Sequence, residues 1–208
     1  MYKRQAQNAL LKTIEEPPVY AIIILLTENC DSLLPTIRSR CVTLTMNPIE
    51  KDKICTYLEN KFQLEPEQAQ IAANYCQGNI GKAIRFASSS DFIEMKNQVL
   101  KLLKNLDSMD IASIIDTIKE FSTHKNDIND YLDLMLLWYR DVLMFKVTKD
   151  ANLLLYSDEY SAISEQATKR DYENIENIIA AIDKAKVRLK ANVNFDVTIE
   201  LMILAMKD

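Results

Sequence analysis

A mainly α protein is predicted by three features of the sequence. Only 2 glycines and 5 prolines occur in 208 residues, against roughly 7% and 5% in average proteins. Tight turns and β-rich architectures need many positions that glycine alone supplies cheaply, so the scarcity favours helices joined by short connections. From Glu50 onward the apolar residues recur only at helical spacing, and strand character is confined to residues 19–26 and 41–46. The length suits one large domain or two to three small ones.

Along the chain, the first element is a helix over residues 5–16. Ala6, Ala9, Leu10 and Ile14 share a face, and Pro17-Pro18 stops it. Residues 19–26 are apolar throughout and rich in β-branched residues, the pattern of a central strand covered on both faces. They end in Thr27-Glu28-Asn29, polar residues at a strand's carboxyl end, where ligand-facing groups gather in open α/β sheets. A short segment, 31–38, leads through Ser39-Arg40 into residues 41–46, whose period-two alternation predicts a second strand before Asn47-Pro48.

Helices follow. Ile54, Leu58 and Phe62 line the first, and Pro66 opens the second, with face Ala69, Ala72, Cys76 and a C-terminal cap at Gly78. A short third helix covers 80–87, and Ser88-Ser89-Ser90-Asp91 is the linker candidate. Further helices are predicted near 92–105, 110–122, 127–148, 159–168 and 171–206, the last interrupted around 191–194, as a packed bundle. Trp138, Tyr139 and Phe145 read as core or interface packing rather than a cofactor box.

Composition excludes several classes. With 48% hydrophobic residues and a net charge of -5, the chain is not of disordered type. A sequence pI of about 5.1 lacks the basic surplus of a stand-alone nucleic-acid binder. The longest apolar run, 19–26, falls far short of the roughly 20 residues that span a bilayer, and no signal segment opens the chain. No membrane association and a cytoplasmic location are expected. The 4 cysteines, Cys30, Cys41, Cys55 and Cys76, form no C-x-x-C pair, and the 1 histidine, His124, lies among polar residues. Reduced thiols, mostly buried, are expected rather than a metal site.

Two strands patterned for burial cannot make a stable parallel sheet alone, so a pairing element is expected outside this sequence. A phosphate-binding loop needs two glycines with four residues between them, the second just before Lys-Ser/Thr, and the 2 glycines here are Gly78 and Gly81. No carboxylate pair follows an apolar strand to hold magnesium. The chain is therefore expected to have no catalytic centre and to bind no cofactor.

Three strings carry a family resemblance. Ala6-Gln7-Asn8-Ala9-Leu10-Leu11-Lys12-Thr13-Ile14-Glu15-Glu16-Pro17-Pro18 resembles the signature of bacterial clamp-loader subunits of DNA polymerase III, of the gamma/tau and delta-prime types. Ile24-Leu25-Leu26-Thr27-Glu28-Asn29 resembles the family's sensor-1 strand. Leu34-Pro35-Thr36-Ile37-Arg38-Ser39-Arg40-Cys41 resembles its Ser-Arg-Cys motif. Residues 182–195 are similar to the end of the delta-prime collar. The resemblance implies the remnant of an AAA+ α/β core over 1–47, a three-helix lid over 48–90 and a helical collar, the oligomerisation domain, over 91–208. It also implies that the phosphate loop lies upstream in the family, so that Met1 resembles an internal methionine or truncation point.

The family's ATPases carry a sensor-2 arginine on the third lid helix. Gly81 occupies that place here, and a shift of one position would bring Lys82 into play. The resemblance thus implies a non-hydrolysing subunit of delta-prime type, with ATP and Mg held by neighbouring subunits; a polymerase label would refer to the holoenzyme. Arg40, within Ser39-Arg40-Cys41, is implied as an arginine finger acting in trans on a neighbour's ATP; read without the resemblance, it is a charge paired with a surface carboxylate. Thr27 matches sensor 1, or caps the loop after its strand. Arg38 is a flanking charge, and Lys12 a candidate phosphate contact or a solvated lysine. Partners implied are the gamma/tau and delta subunits, and through the complex the sliding clamp and primer-template DNA. The competing readings are a truncated gamma/tau-type ATPase subunit and a helical scaffold unrelated to replication.

Overall fold

The computed structural model describes residues 2–88 and 91–207, with side chains for 5–87 and 92–207. It divides into two compact units, Met1–Asn47 and Pro48–Asp208.

The first unit begins with α1 (Tyr2–Glu15), closed by the amide of Glu16 donating to the carbonyl of Lys12 at 3.1 Å before the two prolines, which have no N–H to continue it. A 3-10 turn (Cys30–Ser32) and one short helix, α2 (Pro35–Arg38), complete its regular structure. The side-chain amide of Gln7 ties α1 to this region by donating to the Ser32 carbonyl at 3.0 Å and accepting from the Leu34 amide at 2.8 Å.

The two expected strands do not form: among the described residues no strand is present, and 19–26 and 41–46 carry no ladder. A strand exists only where a neighbour takes its backbone hydrogen bonds, and no described segment lies paired beside either one. Val19, Ile22, Ile24 and Leu26 are exposed in consequence, as are Val42, Leu44 and Met46. The expected apolar face of α1 fares similarly, with Ala6, Ala9 and Leu10 exposed and Ile14 half-buried. Ile37 alone is buried among the described residues of this unit. Cys30 and Cys41 are exposed too, contrary to the expected burial, because the sheet that was to cover them is not formed; Cys76 is buried and Cys55 half-buried.

Among the described residues of the second unit, regular structure is helical only. It comprises α3 (Lys51–Phe62), α4 (Pro66–Tyr75), α5 (Ile80–Ser88), α6 (Asp91–Asn105), α7 (Ile111–Thr123), α8 (Ile128–Thr148), α9 (Tyr160–Lys169), α10 (Tyr172–Lys190) and α11 (Phe195–Lys207). Local chemistry sets the boundaries. Pro66 sits in the first turn of α4, Asp110 caps α7 by accepting the Ser113 amide at 2.8 Å, and Asp171 caps α10 by accepting the Asn174 amide at 2.7 Å. Asn192, in the left-handed region at φ 57°, breaks the long C-terminal periodicity into α10 and α11. His124 closes α7 as its C-cap residue. Of the linker candidate at 88–91, Ser89 and Ser90 lie outside the described residues.

One continuous core runs from Ile54 and Leu58 of α3 to Met202 and Met206 of α11. Aromatic rings join its parts: Phe86 stacks on Phe92 at 4.3 Å, and Tyr75 meets Phe92 at 5.6 Å and Tyr156 at 5.0 Å. Trp138, Tyr139 and Phe145 of α8 are buried there. The indole N–H of Trp138 is satisfied by Gln166 at 3.0 Å, and Gln166 in turn donates to the Leu103 carbonyl at 2.8 Å.

The turn after α4 depends on Gly78. Its φ of +79° suits glycine, and an added Cβ would lie 2.5 Å from the Pro48 Cβ and 3.0 Å from the backbone N and O of Ile49. Its carbonyl accepts the Ile49 amide at 3.0 Å, so the chain entering α3 lies against this turn. Gly78→Ala meets both the left-handed penalty and backbone contact, and should cost about 2–4 kcal/mol of unfolding free energy. Chemical denaturation is the check. Gly81→Ala should be near neutral or stabilising, since its Cβ would meet only the Asn79 side chain, at 3.3 Å.

Candidate functional site

Arg40 lies just beyond α2, whose last turn is closed by the amides of Ser39, Arg40 and Cys41 donating to the carbonyls of Pro35 (3.0 Å), Ile37 (3.0 Å) and Arg38 (3.3 Å). The Ser39 hydroxyl donates to the Thr36 carbonyl at 3.2 Å. The same carbonyl accepts Nη1 of Arg40 at 2.8 Å, and Nη2 meets a carboxylate oxygen of Glu15 at 2.7 Å. Nη1 also lies 3.5 Å from the Ser39 hydroxyl. The guanidinium is thus oriented by its own unit while its side chain stays 40% exposed, with Glu15 at 46%. Cys41 beside it is exposed. Arg38, the flanking charge, pairs with Asp31 at 2.9 Å.

The hydroxyl of Thr27 is engaged locally. It donates to the Asn29 carbonyl at 2.8 Å, accepts the Asn29 amide at 3.2 Å and lies 3.2 Å from the Ser32 hydroxyl. Asn29 also caps the Cys30–Ser32 turn by accepting the Asp31 amide at 2.8 Å. Both Thr27 and Arg40 therefore belong to loops fastened to α1, one through Gln7 near its start and the other through Glu15 at its end. Lys12 is exposed.

Gly81 and Lys82 belong to the second unit, on α5. Gly81 is exposed. Lys82 is turned onto α8, where its ammonium meets Asp130 at 3.1 Å and also pairs with Asp133. Asp133 is shared with Lys186 of α10, and Asp130 with Arg85 of α5 at 3.0 Å. Burial alone would raise the Asp133 carboxyl, but hydrogen bonds from Lys186 and Lys82 hold it below the usual carboxylate range. Burial alone would lower the Lys82 ammonium, but Asp133 and Asp130 hold it above its ordinary value.

Sequence reasoning missed Gln7, Glu15, Asp130 and Asp133. For the acidic pair a signal existed: Lys82 and Arg85 on one helix and Asp130 and Asp133 on another each stand three apart, so complementary charges project from one face of each. Glu15 offered none, as its partner lies 25 residues away with no regular element to relate them.

Residues 1–50 match the family model described as DNA polymerase III, delta subunit. The chain is 32% identical over 206 residues to the DNA polymerase III subunit delta' of Bacillus subtilis (strain 168), a match covering 98% of this chain and 62% of that relative. It is 22% identical over 228 residues to the DNA polymerase III subunit gamma of Buchnera aphidicola subsp. Schizaphis graminum, with the same 98% and 62% coverage. Over 79 residues it is 34% identical to the subunit delta' of Escherichia coli (strain K12), covering 38% of this chain and 24% of that relative. The chain spans about three-fifths of the length of the first two relatives. These matches bear out the resemblance read from the three motifs.

The α5–α8–α10 ion network generates a prediction. Asp133 is 26% exposed on its side chain and holds two ammonium groups, so Asp133→Asn should lower unfolding free energy by about 1–3 kcal/mol at neutral pH. Because the folded carboxyl titrates below its unfolded value, this stabilisation is present above the ordinary carboxylate range and is lost as pH falls through the folded value. Lys82 acts in the opposite sense: its share is present below the ordinary lysine value and lost as pH rises through the folded one. Thermal melts of both proteins should converge in acid, and a constant gap down to pH 2 would contradict the assignment.

Proposed function

We propose, on the premise of similarity to the DNA polymerase III delta' subunit over 98% of this chain, that it is the C-terminal part of a clamp-loader subunit of delta-prime type. It assembles with ATP-hydrolysing subunits and lends Arg40 to a neighbour's nucleotide. The observation that carries this reading is the exposed, pre-oriented guanidinium of Arg40 in the Ser-Arg-Cys string. A guanidinium is permanently charged and planar, and its donor fork matches two phosphate oxygens at once. Placed beside the terminal phosphate of a neighbour's ATP, it neutralises charge that develops as that phosphoryl group transfers.

ATP and Mg belong to the neighbour in this reading. The two glycines, Gly78 in a turn and Gly81 on α5, cannot form a phosphate-binding loop. Among the described residues no cluster of acidic, Cys or His side chains could hold a metal ion. At the third lid helix, Gly81 offers no cation, and Lys82 is committed to Asp130 and Asp133. Both facts favour the delta-prime type over gamma/tau, to whose subunits the chain is also similar.

The domains follow from the same reading. Residues 1–47 are the remnant of the AAA+ core, 48–90 the lid and 91–208 the collar, whose long helices hold the ring of subunits together. Partners are the gamma/tau and delta subunits, with the sliding clamp and primer-template DNA reached through the complex. None of the described helices is long and apolar enough to cross a membrane, in keeping with a cytoplasmic replication factor.

The test is Arg40→Ala in the full-length protein, assembled with its partner subunits. Assembly should survive, read by gel filtration. DNA-stimulated ATP turnover at the site served should fall by about a hundredfold or more. Undiminished turnover at every site would defeat the finger assignment.

A further inference from the structure

The side chain proposed to act on a neighbour's phosphate is already engaged inside its own unit. Nη2 of Arg40 bonds Glu15 at 2.7 Å and Nη1 bonds the Thr36 carbonyl at 2.8 Å. A bidentate grip on a phosphate uses the same two nitrogens. Each of these nitrogens has a second N–H, but a phosphate gripped there would lie against the Glu15 carboxylate, anion beside anion, so the two engagements compete. Resting on the reading above, we infer that Glu15 is a positioning residue that parks Arg40, competing with the neighbour's phosphate for the guanidinium until the subunits close on ATP.

The geometry suits reversible parking rather than structural support. With side chains 40% and 46% exposed, the ion pair is well solvated and adds little to the stability of the fold. Exchange of a singly charged carboxylate for a terminal phosphate of higher charge is then favourable once the phosphate arrives, while the Thr36 carbonyl can keep one N–H of Nη1 and leave the other for the phosphate. Glu15 is the last residue of α1, and Pro17 and Pro18 follow after Glu16. The helix end cannot extend, so the carboxylate is presented at a fixed place. Glu16, next along the chain, provides an internal control of like charge.

Three variants of the full-length protein, each assembled with the ATP-hydrolysing subunits, test this by steady-state ATP turnover without DNA. Glu15→Gln removes the competing charge and should raise turnover about three-fold or more, whereas Glu15→Asp and Glu16→Gln should leave it within about a factor of 1.5. Combined with Arg40→Ala, Glu15→Gln should have no further effect, because Glu15 acts only through the guanidinium. A fall in turnover with Glu15→Gln would make Glu15 a support instead and overturn the inference, as would an unchanged rate. If Arg40→Ala itself leaves DNA-stimulated turnover intact, the finger reading fails first and takes this one with it. If Arg40→Ala lowers it while Glu15→Gln does nothing, only the parking role is lost.

Discussion

A carboxylate taken out of water costs several kcal/mol unless cations or amides meet it, and α8 carries three such groups into or beside the core. Asp141, fully buried, accepts the amides of Leu155 and Tyr156 at 2.7 and 2.8 Å and Nη1 of Arg140 at 2.9 Å. Burial pushes its carboxyl up even so, the amides recovering only part of the loss. Asp130 and Asp133 take Lys82, Arg85 and Lys186. These bonds fix the rotation of α8 about its axis. They set the approach of α5 and α10 to one end of it and of the 154–156 segment to the middle. Apolar contact is non-directional and would tolerate other rotations; the charges tolerate few. The second unit therefore depends on α8 twice over, for bulk through Trp138 and Tyr139 and for register through its acids.

The first unit is held in a different way. Its apolar segments at 19–26 and 41–46 bury little and pair with nothing among the described residues. Short-range polar bonds do the ordering instead: the Gln7 amide across the 32–34 loop, the Thr27–Asn29–Ser32 cluster, and the pairs Arg38–Asp31 and Arg40–Glu15. Each such bond contributes about 1 kcal/mol or less at an exposed position. Order there rests on many weak, solvent-competed links, and such links are easily exchanged for a partner's groups.

The sequence made the helical unit legible because its information is local. Period, caps and punctuation fall within a few residues of one another. The breaks at Pro66, at Asp110 and around 191–194 all reappear as element boundaries. The strands misled for the complementary reason. Composition at 19–26 states what the segment would bury against, and a strand needs a partner that local sequence cannot supply. The site was half legible. Family resemblance singled out Arg40 and Thr27, but Glu15, which holds Arg40, and Gln7, which ties down the 32–34 loop, are related to them only through the fold. Lys82 was visible as a basic residue of the short helix predicted over 80–87. Its engagement with Asp130 and Asp133, some fifty residues on, was not.

A side-chain cation needs acceptors for its N–H groups, whether carboxylate, carbonyl, phosphate or water. At Lys82 and Arg40 the same constraint has opposite results. Lys82 is less than a quarter exposed and meets two carboxylates within one unit; removing it from them would strand buried charge, so it stays. Arg40 is 40% exposed, with one carboxylate that water can replace at little cost. The difference is burial, not residue type. It separates a cation that binds helices together from one free to trade its partner. On that physical ground the proposed finger role falls to Arg40 rather than to Lys82.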